Sequence, residues 1–357
     1  MKAFTLSTIA TPFGKPLVLR LFGLLLLLVL GQLLVTWLIE LPSGPVLAGD
    51  SGFYLDGAQR FPHLLPKQRP YVGMIAYLRV CGWWAQAPWV ALIANSLTVW
   101  AAALALWQIA AHWAGPRAGW TAAAIWLLNP LTAQWTRYVL TEPLFFAAVI
   151  GWLWLALFRP GWGFLACSAA LSTLRPNGFT LIAAALTWWL GLNLQPRRWA
   201  ILLIVLGWLV LMASLVLLVP LITPVANKVP QMLASGTVIH SHPELAVPMN
   251  HGVLSVLRLM ITRLGWELAQ WRPWYSLRLN VYIAVFMSAF YVLALRGAWL
   301  IRKSRLFWAV ILISLPLMAL IMATWAIHEG RFGWSFLVAW IPWVAIGCQQ
   351  SKNVALR

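Results

Sequence analysis

The chain has 357 residues, 62% hydrophobic and only 9% charged. So few polar side chains cannot cover a globule of this size in water, which excludes water as its main solvent. The formal charge of +18 is scattered through short connections, with no basic face or tail, which argues against a nucleic-acid partner.

Lys2, Lys15 and Arg20 precede an apolar run from Leu21 to Ile39. The run is too long for a cleaved signal-peptide core and reads as a first membrane span, although Val46-Leu47-Ala48 before Gly49 is weakly cleavage-like. Further apolar runs at about 88–111, 118–136, 143–158, 161–174, 178–193, 200–219, 279–295, 306–327 and 332–348 bring the expected count to ten. Each is about long enough to cross a hydrocarbon core of roughly 30 Å as a helix. The expected fold class is therefore an all-α polytopic membrane protein of about ten transmembrane helices. It forms one membrane domain over residues 1–357, with long outer loops at about 40–87 and 220–278 that contain short interfacial helices.

An even count puts both termini on one side, and the segments on that side carry thirteen of the 25 Lys and Arg residues, with no carboxylate. By the positive-inside rule this side is the cytoplasm, which predicts a bacterial inner-membrane protein with its functional face toward the periplasm. All seven carboxylates, Glu40, Asp50, Asp56, Glu142, Glu244, Glu267 and Glu329, fall at or beyond the outer ends of spans, mixed there with cations. Mixed charge at a membrane boundary points to a site.

The first outer loop reads Gly49-Asp50-Ser51-Gly52-Phe53-Tyr54-Leu55-Asp56-Gly57-Ala58, then Lys67-Gln68-Arg69-Pro70-Tyr71. A carboxylate there suits removal of a proton from an acceptor hydroxyl, and Lys and Arg suit an anionic leaving group such as phosphate. A solvated loop that keeps its charges out of lipid would contain the same residue types. Arg137-Tyr138 precedes Thr141-Glu142-Pro143, where Thr141 and Pro143 resemble a cap and first turn and place Glu142 at a helix amino terminus. Glu142 there either orients partners or only complements the helix dipole.

Arg175, in Leu174-Arg175-Pro176-Asn177-Gly178, stands at the outer boundary between two apolar runs and suits a phosphate, snorkelling or pairing with Glu142. In the second loop, Val253 to Trp271 reads as an amphipathic helix lying flat in the interface, with Arg258, Arg263 and Glu267 among Leu, Met and Trp residues. His240, His242 and His251, with Glu244 among them, have loose spacing for zinc; solvated loop histidines are the plainer reading. The late His328-Glu329-Gly330-Arg331-Phe332 again puts ionisable groups at the outer surface. Cys81, Cys167 and Cys348 lie far apart in apolar surroundings, without disulfide or metal spacing.

In this order the fragments resemble the GT-C superfamily of membrane glycosyltransferases, in particular bacterial relatives of protein O-mannosyltransferases and aminoarabinose transferases, over most of the chain. Asp50, Tyr54 and Ala58 match the family's first-loop Asp with its following aromatic and small residues. Arg69-Pro70-Tyr71, Asn129-Pro130, Thr141-Glu142-Pro143, Arg175-Pro176-Asn177 and Glu329-Gly330-Arg331-Phe332 follow in the family's order. The resemblance implies that Asp50 is the catalytic base. Two features depart from the pattern: Ser51 stands where many members of that family have a second acid, and no soluble carboxyl-terminal domain of the kind common among them is expected, so acceptor binding is expected to fall to the loops and membrane cavity.

The expectation is an inverting glycosyltransferase (transferase class EC 2.4) that moves a sugar from a polyprenyl-phosphate donor to a hydroxyl of a lipid-linked or cell-envelope acceptor. Asp50 is the base, and Asp56 or Glu142 a second acid. Lys67, Arg69, Arg137, Arg175 and Arg331 hold the donor phosphate, and Tyr54, Tyr71, His328 and Glu329 line the substrate site. Cations are plentiful and acids few, so a metal-independent site without a cofactor is expected ahead of a divalent-metal site. Membrane lipids are the other expected partners. The alternative is a transporter or flippase of an anionic lipid or lipid-linked sugar, with the same arginines on the headgroup.

Overall fold

The computed structural model describes residues 16–82, 87–193, 229–239, 242–250, 252–324 and 331–349. Among them the chain is all-α. Its helices are α1 (Pro16–Ile39), α2 (Gly49–Arg60), α3 (Val72–Gly82), α4 (Ala87–Leu128), α5 (Pro130–Ala133), α6 (Glu142–Phe158), α7 (Trp162–Ser172), α8 (Phe179–Asn193), α9 (Val229–Ala234), α10 (Val253–Ala269), α11 (Leu277–Leu300), α12 (Arg305–Ala323) and α13 (Arg331–Gly347). Short 3-10 turns at Arg69–Tyr71, Gln134–Arg137 and Pro176–Gly178 lie near the candidate site.

Four helices are long and apolar enough to cross a membrane: Leu17–Ile39, Ala87–Leu128, Leu277–Leu300 and Arg305–Ala323. Glu142–Phe158, Trp162–Ser172 and Thr180–Trp189 are shorter apolar helices. The expected run at 200–219 lies outside the described residues. α1 exposes Val18, Phe22, Leu33 and Trp37, and α11 exposes Val285, Val292, Leu295 and Trp299. Apolar surface of this extent is unfavourable in water and matched by lipid tails.

α4 is not one straight rod. Ala114 and Gly115 leave helical geometry, Gly115 with φ 82°, and Pro116 follows with no amide hydrogen for the broken turn. The two limbs then fold back on each other: Trp126 donates from its indole to the Val99 carbonyl at 2.9 Å, and Gly119 packs on Trp107 nearer the bend. The expected break between runs at 88–111 and 118–136 is therefore present, as a bend inside an apparently continuous helix.

Other contacts fix helix directions. On α6 and α8, Trp152 donates to Leu181 and Trp188 to Ala156, at 3.1 and 2.8 Å, so these helices run parallel with α7 returning between them. α11 and α13 are likewise parallel, with Phe290 against Trp334 and Gly297 against Gly347. A Cβ on Gly297 would overlap the Trp343 carbonyl oxygen and one on Gly347 the Leu293 carbonyl oxygen, so glycine at both positions permits the close backbone approach. α13 is buried along most of its length and packs against α4, α6, α11 and α12, forming the axis of the bundle.

This packing separates the charges. At one end Arg20 lies over the Trp107 ring at 4.3 Å, and Arg296 donates to the Gln349 carbonyl. At the other meet the carboxyl ends of α1, α4 and α7, the amino ends of α6 and α13, and the whole of α2.

Candidate active site at one end of the bundle

Four charged residues, far apart in the chain, meet where these helix ends converge. Asp50, in the first turn of α2, accepts a hydrogen bond at Oδ2 from Arg331 Nη2 at 3.2 Å. Arg331 opens α13 and holds its Nε 3.5 Å from Oε1 of Glu142, the first residue of α6. The same Glu142 oxygen accepts from Nη1 of Arg175, beyond the end of α7, at 3.4 Å. The result is an alternating row: Asp50, Arg331, Glu142, Arg175.

The row passes from the surface into the protein. Side-chain exposure is 57% at Asp50, 14% at Arg331, 7% at Arg175 and 2% at Glu142. Glu142 can be buried because two cations face it. The Arg175 guanidinium lies between the rings of Phe145 and Phe332, at 5.1 and 4.9 Å, which fixes its plane. Arg331 and Arg175 thus present positive charge from a held position, while Asp50 at the open end stays within reach of a ligand.

The local sequence explains each position. The α2 amino end is stapled by Ser51, whose Oγ accepts from the Ala48 amide at 3.0 Å. Ser51 is fully buried, so an acid at this position would lie buried against backbone. Thr141 and Pro143 do start α6 as expected, but the Thr141 hydroxyl makes no cap bond and instead approaches Glu142 Oε2 at 3.5 Å. Pro176 and Gly178 break the chain between α7 and α8, where no regular helix carries Arg175 past the boundary.

An aromatic group borders the row. Tyr54 and Tyr71 lie 5.3 Å apart, and Phe53 meets them at 5.4 and 5.8 Å. Burial raises the Tyr54 phenol above its ordinary range, and Tyr71, Glu142 and Asp50 raise it further. Burial likewise raises Tyr71, with Asp50 and Glu142 adding to the effect. Both therefore remain neutral hydrogen-bonding groups beside the charged row.

The remaining expected site residues fall elsewhere. Arg137 is buried and saturated: it donates to Gln32 Oε1 and carbonyl, Thr36 Oγ1, and the Leu41 and Pro42 carbonyls, at 2.6–3.1 Å. It clamps the end of α1 to the Gln134–Arg137 turn and belongs to the scaffold, and the residues that Glu142 orients are Arg175 and Arg331. Asp56 is exposed and pairs with Arg60 at 2.9 Å, a bond that holds its carboxyl below the usual range; Gln68 donates to its other oxygen. Lys67 is exposed, over the Phe53 ring at 5.7 Å, and Arg69 lines a separate cavity. His328 and Glu329 lie outside the described residues.

Of the loop histidines, His242 bonds Glu244 at 2.6 Å and stacks on Trp274 at 3.9 Å; His240 and His251 lie outside the described residues. Among the described residues no three His, Cys, Asp or Glu side chains gather as metal ligands.

Sequence reading missed the arrangement around α10. Its exposed stripe is Val253, Leu254, Leu257 and Ile261, and its buried stripe is Ser255, Leu259, Arg263 and Glu267. Arg263 donates to the carbonyls of Met232, Thr237, Met322 and Ala323. Glu267 Oε2 accepts from the Gly333 amide at 2.6 Å, in the first turn of α13, two residues after Arg331. The four-residue spacing of Ser255, Leu259, Arg263 and Glu267 was the available signal, but it implies a single face without saying that the face turns inward. Comparison with protein-family models, curated proteins and solved structures finds no match to this chain.

Proposed function

We propose that the protein is a membrane glycosyltransferase that moves a sugar from a polyprenyl-phosphate donor to an acceptor hydroxyl on the periplasmic face of a bacterial inner membrane. The observation that carries this reading is the Asp50–Arg331–Glu142–Arg175 row, which pairs an accessible carboxylate with held arginines at one end of an apolar bundle. The order of motifs resembling the GT-C superfamily supports the same assignment. In this reading the chain crosses the membrane ten times, with both termini cytoplasmic.

Asp50 takes the proton of the acceptor hydroxyl as its oxygen attacks the anomeric carbon. A bond forms from that oxygen to carbon, and the bond from carbon to the phosphate oxygen breaks, leaving its electron pair on the phosphate. Attack in line with the departing group inverts the configuration. Charge grows on the phosphate, where Arg331 and Arg175 meet it. Glu142 keeps both guanidinium groups in place, and Tyr54 and Tyr71 supply neutral hydrogen bonds to the substrates. Arg331 is central: on donor binding its Asp50 contact gives way to phosphate, which frees the carboxylate to act as base.

Purified protein supplied with radiolabelled polyprenyl-phospho-sugars and membrane-lipid acceptors transfers label, and Asp50→Asn lowers the rate about 10²- to 10⁴-fold, the usual contribution of a general base. Undiminished transfer by Asp50→Asn removes Asp50 from its role. No transfer with any donor, together with lipid movement across vesicle walls, replaces the reading with a flippase.

A further inference from the structure

Arg69 stands apart from the charged row. It lines a cavity of about 590 Å³ with Pro62, His63, Leu64 and Val72, none of them a member of the row. Its exposed guanidinium has no hydrogen bond or ion pair to the described residues. Asp56, the acid of the same loop region, directs its two oxygens to other groups, to Arg60 at 2.9 Å and to Gln68 at 3.1 Å. Exposed Lys67, two residues before it, adds positive charge to the same loop.

The loop bearing these groups is pre-formed. Gln68 is fully buried; its amide nitrogen donates to the Phe53 carbonyl at 3.2 Å and to Asp56, and its amide oxygen accepts from Leu65 at 3.0 Å. One side chain thus ties residues 65–68 to α2 and holds His63 and Arg69 at the cavity without using either of them. A cavity with an uncommitted guanidinium and an imidazole, set in a fastened loop, is suited to a phosphate group.

We propose that this cavity binds a phosphate group of the acceptor, so that the enzyme takes two anionic substrates: donor phosphate at Arg331 and Arg175, acceptor phosphate at Arg69 and His63. The proposal rests on the transferase reading for the word acceptor, but not for the binding itself. It makes the acceptor a phosphorylated molecule, with its anion recognised outside the reacting centre. A phosphorylated lipid headgroup and a free phosphate compound present the same chemistry here.

The test measures the rate at which phenylglyoxal modifies Arg69 in the full-length purified protein, mapped by peptide mass spectrometry, without any donor. The arms are inorganic phosphate, phosphatidylcholine vesicles containing phosphatidic acid, and vesicles of phosphatidylcholine alone. Inorganic phosphate and phosphatidic acid slow modification of Arg69 about tenfold, and pure phosphatidylcholine, whose phosphodiester is screened by its own choline, does not. His63→Gln weakens that protection while leaving the unprotected rate of Arg69 unchanged. Protection by phosphatidic acid at far lower concentration than by inorganic phosphate assigns the site to a lipid headgroup, and the reverse order assigns it to a soluble phosphate compound. An unchanged Arg69 rate in every arm overturns the proposal. Where transfer is measurable, Arg69→Gln raises the acceptor KM and leaves the donor KM unchanged; a change in donor KM alone also overturns it. Protection without transfer to any acceptor leaves the anion site standing and removes only the transferase reading.

Discussion

Among the residues of the site, Glu142 has the most to lose. It is nearly inaccessible and answers two arginines through one oxygen, so replacing it by glutamine leaves the buried Arg175 and the partly exposed Arg331 facing a neutral amide. Removing one partner of a buried pair costs about 3–5 kcal/mol. Glu142→Gln is expected to lower unfolding stability by about that amount, and the double variant with Arg175→Gln to lose less than the sum of the single ones, a coupling that a double-mutant cycle of chemical denaturation measures. Additive losses mean that the two do not act as a pair. Tyr54 offers a pH signature. Its phenol is raised in the folded protein, so its contribution to stability is fully present below the unfolded value of about 10 and is lost as pH rises beyond it. Between about pH 9 and 11 the natural protein should therefore lose more thermal stability than Tyr54→Phe; equal losses in the two would show that this phenol ionises as freely folded as unfolded.

At the scale of elements, the link from α10 to α13 ties the segment before α11 to the helix that carries Arg331 of the charged row. Glu267 accepts from Gly333 where α13 begins, and Arg331 is the first residue of that helix. Neither neighbour nor sequence spacing announced this, since Glu267 and Gly333 come together only when α10 packs its charged stripe inward. Glu267→Gln keeps the size of the side chain but weakens the bond to the amide, and the expected result is a kcat about tenfold lower with the donor KM nearly unchanged, on the scale of one charge-assisted hydrogen bond. A variant that loses folded protein and activity in parallel would make Glu267 structural only. The motifs at helix ends were legible for a simpler reason. Asn129-Pro130, Thr141-Glu142-Pro143 and Arg175-Pro176 combine backbone rules with polar residues at apolar boundaries, and the structure puts a break at each. Arg137 was misread because its sequence neighbourhood resembles the others; only the fold reveals Gln32, Thr36, Leu41 and Pro42 around it.

Across the whole molecule, hydropathy made the all-helical, apolar character readable, because lipid leaves the backbone no partners outside the helix. It did not determine which helices approach closest. That information sits in small residues: Gly297 and Gly347 let α11 and α13 touch backbone to backbone. Gly297→Val is expected to force them apart and cost about 1–3 kcal/mol, read as earlier unfolding in denaturant, whereas Gly151→Ala, with open space about its missing Cβ inside α6, should unfold no earlier than the natural protein and up to about 1 kcal/mol later. The meeting of Asp50 with Arg331, 281 residues away in the chain, was expected from the placement of both at helix ends on one side of the bundle, since periodicity alone does not relate residues so far apart.

The stitch before α2 has its own consequence. Val46 donates to the Arg137 carbonyl at 2.7 Å and accepts from the Val139 amide at 3.2 Å, and only Leu47, Ala48 and Gly49 separate it from Asp50. Fully drawn out, that leash spans about 14 Å. The carboxylate's reach is thus limited by an anchor on the turn that grips the first helix, and Asp50 cannot travel farther from that turn than this tether allows.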